Sequence, residues 1–152
     1  MRLRHRRTAR MLLVGLVAGF VLGAAIPAFA GIAYSSYGYY TVYGIGYRNR
    51  ASVYTYSDRG FAATDVFTYP AQNVPSGYMG ALARLYNSSG TLVRQSTWRY
   101  NSGSASGLGA TTSDSYTIPT GVYYSLGQSR AWNGSGYTTY NTFRSPNQNF
   151  PG

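Results

Sequence analysis

Residues 37–47 read Tyr37-Gly-Tyr-Tyr-Thr-Val-Tyr-Gly-Ile-Gly-Tyr47, and the odd positions of this stretch hold Tyr, Tyr, Thr, Tyr, Ile and Tyr. A period of two is typical of a β-strand that presents one aromatic face. The interspersed glycines indicate a twisted or bulged strand, or close approach of another backbone. We therefore expect a Tyr/Gly-rich N-terminal strand or arm over residues 31–50.

The same short period continues to the C-terminus, and no stretch of ten or more residues shows helical spacing. Strands are predicted over 51–56, 61–69, 78–86, 91–100, 110–116, 122–132 and 137–143, with turns at 57–60, 87–90 and 133–136. This pattern predicts an all-β fold in which residues 51–152 form a single small β-sandwich of about seven to eight short antiparallel strands. The alternative is a small barrel. We expect the tail after Arg144 to be ordered by docking of Phe150.

Residues 1–30 have the three parts of an export signal. Five arginines precede an apolar run over 11–26, and Ala28-Phe29-Ala30 is a small-x-small cleavage site. The alternative is an uncleaved membrane anchor, but Pro27 before the Ala-x-Ala site favours cleavage. We predict a cleaved signal peptide and a secreted, extracellular protein. The alternative location is the bacterial cell surface.

After residue 30 the chain contains no His, Cys, Lys or Glu, and its only acids are Asp58, Asp65 and Asp114. Transition-metal sites need imidazole or thiolate, and Ser-His-Asp or Cys-His catalysis needs histidine. The composition thus predicts a non-enzymatic protein with no metal and no other cofactor. Asp65, on a strand in an aromatic setting, is the one acid considered for hydrolysis. The alternative for Asp65 is an edge position, or a structural pair with an arginine such as Arg84 or Arg99.

The charge after residue 30 is mildly positive, with eight Arg against three Asp and hence a net charge of +5. Such a field favours anionic polymers such as teichoic acid, acidic glycans or lipid head groups. There is no basic run, so nucleic acid is not expected as a partner.

All 17 tyrosines follow residue 30, more than a domain core can use. Exposed Tyr and Trp provide rigid, amphipathic contacts with proteins and stack on sugar rings. The candidate contact residues for a secreted protein or for an anionic or neutral cell-envelope polysaccharide are Tyr37, Tyr39, Tyr43, Tyr47, Trp98, Arg130, Trp132, Tyr137 and Tyr140. Burial of one or both Trp in the core remains the alternative.

One internal repeat links residues 74–90 with 118–136. Arg84 and Arg130 lie 46 residues apart, each two residues before an aromatic residue and three before a turn Asn. Two explanations stay open. Both units are hairpins of one sandwich with the same local requirements, or they form a duplicated ligand site.

The segments 74–87 and 137–147 resemble parts of uncharacterised small secreted β proteins of Gram-positive bacteria. The likeness covers about the last two-thirds of the chain. It implies export and a bacterial source but no known function, and some proteins of this pattern carry cysteines that are missing here.

The leading hypothesis is a secreted, non-catalytic binding or adaptor protein, one version of which adds the N-terminal arm to the edge of a partner's sheet. The alternative is a membrane-active or self-assembling β protein, with homo-oligomers forming through edge strands. A hydrolase using Asp65 ranks last.

Overall fold

The described residues form thirteen β-strands and no helix. The computed structural model of the chain describes residues 31–56, 59–113 and 117–151. The strands are β1 (Gly31–Tyr34), β2 (Gly38–Val42), β3 (Ile45–Thr55), β4 (Gly60–Thr68), β5 (Met79–Leu82), β6 (Arg84–Asn87), β7 (Leu92–Gln95), β8 (Arg99–Tyr100), β9 (Gly107–Thr111), β10 (Gly121–Ser125), β11 (Gln128–Trp132), β12 (Tyr137–Asn141) and β13 (Gln148–Phe150). The all-β prediction is confirmed. The predicted signal peptide, residues 1–30, lies outside the described residues, as do Asp58 and Asp114.

The strands form three antiparallel sheets. In the first sheet, β1 and β2 both pair with β3, and β4 and β9 follow in the order β3-β4-β9. The second sheet has the order β12-β11-β5-β8 and the third has the order β13-β10-β6-β7. Within the described ranges no sheet closes on itself, so the small-barrel alternative is wrong. The same ranges hold no helix long and apolar enough to cross a membrane.

Residues 37–47 form a hairpin and not the single strand that their alternation predicts. Tyr43 and Gly44 make a two-residue turn with φ of +52° and +75°, and Val42 pairs with Ile45 across it. Positive φ at both turn residues matches the twist of the flanking strands. β3 then continues to Thr55, so the expected boundary at residue 50 falls inside a strand. The arm is thus part of the first sheet.

β3 alternates between a buried inner face and a partly covered outer face, on which Ser52 is fully buried. Its inward side chains are Tyr47, Asn49, Ala51, Val53 and Thr55, all of them buried. Arg48, Arg50 and Tyr54 point outward and are half-buried. On the neighbouring strand β4, Phe67 pairs with Arg48 and Asp65 pairs with Arg50. The outer face of the first sheet therefore combines arginines with aromatic rings.

The second and third sheets are built from the same four chain segments. β5 runs on into β6, β7 into β8, β10 into β11 and β12 into β13, so each segment crosses from one sheet to the other. The breaks in the four segments lie side by side across the strands: Ala83 separates β5 from β6, and hydrogen bonds join it to Ser96, where the neighbouring segment breaks. These interruptions, together with the hairpin at Tyr43, explain why there are more strands than the seven to eight predicted.

Side-chain oxygens replace backbone carbonyls where strands end or break. At Thr142, the backbone N–H donates to the Gly127 carbonyl at 3.0 Å, and Oγ1 accepts the N–H of Gly127 at 3.0 Å. The same reciprocal pair joins Ser35 to Ala51, Ser96 to Ala83, Asn101 to Met79, Thr112 to Ala62 and Ser145 to Ser125. These oxygens satisfy buried N–H groups that would otherwise lack a partner.

Two hydrophobic clusters lie between the first sheet and the other two. One joins first-sheet residues to the second sheet and contains Val42, Tyr47, Val66, Val74, Met79, Ala81, Ala110 and Ala131. The other joins first-sheet residues to the third sheet and contains Ala33, Val53, Ala62, Leu85, Ile118, Tyr123 and Phe150. The expected docking of Phe150 is confirmed, and burying such a ring contributes roughly 1.5–3 kcal/mol.

The repeat units are the two central segments of the second and third sheets. Tyr86 pairs with Tyr124 across them, and the N–H of Trp132 donates to the Tyr78 carbonyl at 3.0 Å. In the repeat, Trp132 is equivalent to Tyr86 and Tyr124 is equivalent to Tyr78, each 46 residues later. The second contact is therefore the first with the two units exchanged, which means that a local two-fold axis relates them. The symmetry is compatible with both explanations, so shared hairpin requirements and a duplicated ligand site stay predictions.

We expect Thr112→Val to lower the free energy of unfolding by about 1–3 kcal/mol, because the N–H of Ala62 loses its buried acceptor. Urea unfolding followed by circular dichroism measures the change. Thr111→Val is the matched control, since Thr111 is exposed and an exposed substitution changes stability by roughly 0.5 kcal/mol or less. Equal losses in the two variants would contradict the role of the hydroxyl.

Candidate binding surfaces

The outer face of the second sheet carries an aromatic surface organised around Arg130. The Arg130 guanidinium lies 3.9 Å from the centre of the Trp98 ring. Its Nη1 donates to the Tyr100 hydroxyl at 2.9 Å, and its Nε donates to Thr139 Oγ1 at 3.1 Å. Stacking on a ring together with two hydrogen bonds holds the guanidinium in one orientation.

Further rings extend this area along the sheet. Tyr137 lies 5.1 Å from Tyr100 and 5.7 Å from Trp132, measured between ring centres, and Trp132 lies 6.3 Å from Tyr78. The Tyr137 hydroxyl donates to the Gly77 carbonyl at 2.8 Å, and a shallow pocket of about 220 Å³ lies between these residues. We call Tyr78, Trp98, Tyr100, Arg130, Trp132 and Tyr137 the Trp98 surface.

Strand alternation and one glycine create the Trp98 surface. Tyr100 pairs with Gly80, and a Cβ at Gly80 would lie 2.8 Å from Cε1 of the Tyr100 ring. Only glycine therefore leaves room for the ring to lie against the sheet. The sequence predicted four members, Trp98, Arg130, Trp132 and Tyr137, and missed Tyr78 and Tyr100. Tyr100 could have been found, because it points to the same side as Trp98 two residues earlier.

A row of polar side chains borders the Trp98 surface. Arg84 donates from Nε to Gln95 Oε1 at 2.9 Å and from Nη2 to Gln128 Oε1 at 2.8 Å. Gln128 in turn donates from Nε2 to Asn141 Oδ1 at 3.0 Å. Amide and guanidinium groups thus stand beside the aromatic rings on the same face.

Tyr47 and Tyr140 were predicted to be exposed contact residues, but both are structural residues that point into the molecule. Tyr47 is 1% exposed. The ring of Tyr40 stacks between them, 5.6 Å from Tyr47 and 3.9 Å from Tyr140. Burial raises the pKa of the Tyr40 phenol well above its ordinary value, against the opposing effect of the hydrogen bond with Ser129. Tyr47 points inward because the unrecognised turn at Tyr43-Gly44 reverses the alternation. Tyr140 points inward because it lies three residues after Tyr137 on the same strand and therefore on the opposite face.

Tyr43 lies at the tip of the β2–β3 turn and is 65% exposed. Its ring covers Gly134 in the turn between β11 and β12, where a Cβ would lie 2.9 Å from Cε2 of Tyr43. Tyr43 therefore joins the two hairpins at the end of the molecule that also carries Trp132.

The outer face of the first sheet carries a second group of rings, around Arg48. The Arg48 guanidinium lies 4.5 Å from the Tyr37 ring centre, 5.0 Å from Tyr69 and 5.6 Å from Phe67. Tyr39 contacts Tyr69 at 5.2 Å between ring centres and is 59% exposed. We call Tyr37, Tyr39, Arg48, Phe67 and Tyr69 the Arg48 surface. Arg48, Phe67 and Tyr69 were missed, because their proximity depends on the register of β3 and β4.

Asp65 pairs with Arg50 and not with Arg84 or Arg99. The Arg50 Nε to Asp65 Oδ2 distance is 3.0 Å, and the Arg50 guanidinium also lies 4.3 Å from the Tyr34 ring centre. Burial is the largest single effect and lowers the pKa of Arg50, but the hydrogen bond with Asp65 and the charge interactions with Tyr37, Asp65 and Tyr34 together outweigh it, so the net shift is upward. Among the residues described, no group of three or more His, Cys, Asp or Glu could hold a metal ion.

Comparison with other proteins supplies no relative. No protein-family model matches the chain, and neither a curated protein nor a solved structure matches it. The likeness to secreted proteins of Gram-positive bacteria therefore stays a prediction.

We expect alkaline destabilisation to depend on Tyr40. Because its folded pKa is raised above the ordinary 10.0, its contribution is fully present below pH 10 and is lost as pH rises from there through the folded value. Tyr40→Phe should reduce the fall in unfolding free energy between pH 10 and 11 by up to about 1.4 kcal/mol per pH unit. Urea unfolding at stepped pH measures it. The control is Tyr39→Phe, and identical slopes in the two variants would refute the assignment.

Proposed function

We propose that this chain is a secreted, non-catalytic protein that binds a cell-envelope polysaccharide through the Trp98 surface, displayed on a β-sandwich scaffold. The observation that carries the proposal is the fixed arrangement of Arg130 over Trp98, hydrogen-bonded to Tyr100 and surrounded by further rings. Rings and a guanidinium held in this way are a preformed contact surface.

The chemistry of the Trp98 surface suits sugars. The faces of Tyr and Trp rings take the apolar C–H faces of sugar rings, while nearby amides bond to hydroxyl groups. Tyr137 is 40% exposed, and the half-buried Trp132 packs edge-on against it, so part of each ring stays open to a ligand. Since these rings already restrain one another, binding costs little side-chain entropy.

The position of Asp65 supports binding without turnover. Glycoside cleavage normally requires two carboxyl groups on either side of the scissile bond. Asp65 points outward from the first sheet and is engaged by Arg50, whereas the Trp98 surface lies on the opposite side of the layers. The residue considered for hydrolysis is thus remote from the proposed ligand.

Secretion is part of the proposal. Its support is the arginine-rich, apolar and Ala-x-Ala pattern of residues 1–30, together with a mature chain that lacks cysteine. A polysaccharide of the bacterial envelope is the ligand that such a location offers.

We expect Trp132→Ala to weaken binding to purified cell-wall polysaccharide at least about tenfold, equivalent to about 1.4 kcal/mol, because a stacking platform is removed. Co-sedimentation with the insoluble polysaccharide measures the affinity, and a glycan array identifies the sugar. Trp132→Phe should retain most of the binding, since a ring remains.

Tyr34→Ala is the control and should bind like the wild type, because Tyr34 is 43% exposed on the outer face of the first sheet and belongs to neither surface. The proposal fails if Trp132→Ala binds normally, or if no glycan is bound at all. A secreted protein captured from culture supernatant in a manner that requires Trp132 would support the protein-partner alternative.

A further inference from the structure

We infer that the Arg48 surface is a second ligand site, which takes a singly charged oxyanion, a carboxylate or a phosphodiester, carried on an acidic polymer. The site lies on the outer face of the first sheet and shares no residue with the Trp98 surface. The inference is therefore independent of the proposed function.

Arg48 is held in place by rings alone. Tyr37, Tyr69 and Phe67 surround its guanidinium at 4.5–5.6 Å. Its Nε is buried without a hydrogen-bond partner in the described structure. Cation–π contact fixes the direction of the side chain, while its terminal nitrogens keep their hydrogen-bond donors free for a ligand.

The charge around Arg48 is not balanced. Arg48 and Arg50 project from the same face of β3, about 7 Å apart along the strand, and the Tyr37 ring lies within 5.2 Å of the Arg50 guanidinium as well. Asp65, the one acid within the described ranges, is bonded to Arg50. Counting only residues 31–56, 59–113 and 117–151, one positive charge thus remains at Arg48, beside aromatic rings.

An oxyanion with one charge complements this arrangement. The planar guanidinium matches the two oxygens of a carboxylate or phosphodiester, and the attraction is stronger beside rings than in open water. Tyr39 and Tyr69, 59% and 50% exposed, flank the position and offer faces for the carbon chain that bears the anion. A polymer places several such groups in sequence, and the positive charge of the whole domain assists its approach.

The test compares two variants that remove the same charge. Arg48→Met keeps an unbranched side chain among the rings but removes the guanidinium. Arg99→Met removes an exposed guanidinium that donates to the Gly109 carbonyl, outside the Arg48 surface. Calorimetry at low salt measures binding of the full secreted chain to polygalacturonate, which carries carboxylates, and to polyglycerol phosphate, which carries phosphodiesters. Uncharged dextran is the blank.

Arg48→Met is expected to weaken binding to at least one anionic polymer about tenfold or more, whereas Arg99→Met changes it less than about threefold. The polymer that responds identifies the source of the oxyanion. Circular dichroism melting confirms that both variants fold. Equal losses in the two variants would mean that the polymers respond only to the net positive charge of the protein, and the proposed site would be wrong. It would also be wrong if the wild type bound neither polymer.

Trp132→Ala separates this site from the proposed function. It should leave binding to the anionic polymers unchanged, because Trp132 lies on the opposite face. If Trp132→Ala abolishes that binding, the two surfaces are not independent and the inference is wrong. Loss of binding to the purified cell-wall polysaccharide alone would concern only the Trp98 surface.

Discussion

The layered structure depends on Ser, Thr and Asn oxygens that stand in for backbone carbonyls. A strand that ends or bends in the interior leaves N–H groups that cost about 1–3 kcal/mol each if unpaired. Here Thr142, Ser145 and Ser96 accept those N–H groups at the level where all four segments of the second and third sheets break. Each segment can therefore pass from one sheet to the other while the same face of the segment stays directed towards the core. The outward-facing aromatic residues of the second and third sheets consequently lie on one continuous side of the molecule.

Arginine–ring contacts take the place that ion pairs occupy in most small domains. With one acid among the described residues, Arg130 lies over Trp98, Arg48 lies beside Tyr37, and the Arg144 guanidinium lies 3.7 Å from the Tyr124 ring centre. A ring holds a guanidinium by its face and leaves the in-plane donors available. Carboxylates would have neutralised the same groups. The outer faces therefore combine rigidity with charge that can still be used in recognition.

Alternation with a period of two, frequent turns and the lack of helical spacing were enough to predict the all-β class. The grouping of Trp132 with Tyr137 could also be anticipated, because the two residues are directly opposite each other in the β11–β12 hairpin and hairpin neighbours share a face. The Tyr43-Gly44 turn could not, since Tyr rarely adopts positive φ and the alternation continues through it. That missed turn placed Tyr47 outside, although it is in the core. The pairing of Arg48 with Phe67 depends on the register between strands, which local patterns do not determine.

The two outer faces differ in how their arginines are satisfied, and this difference bears on what each can bind. Arg130 already donates to Tyr100 and Thr139, so the Trp98 surface offers rings and amides more than free charge. Arg48 forms no hydrogen bond within the described structure, so its surface offers charge framed by rings. Two layers about 10 Å apart separate the faces, and ligands on them cannot collide. If both proposed sites are occupied at once, the chain would join two ligands, one on each face.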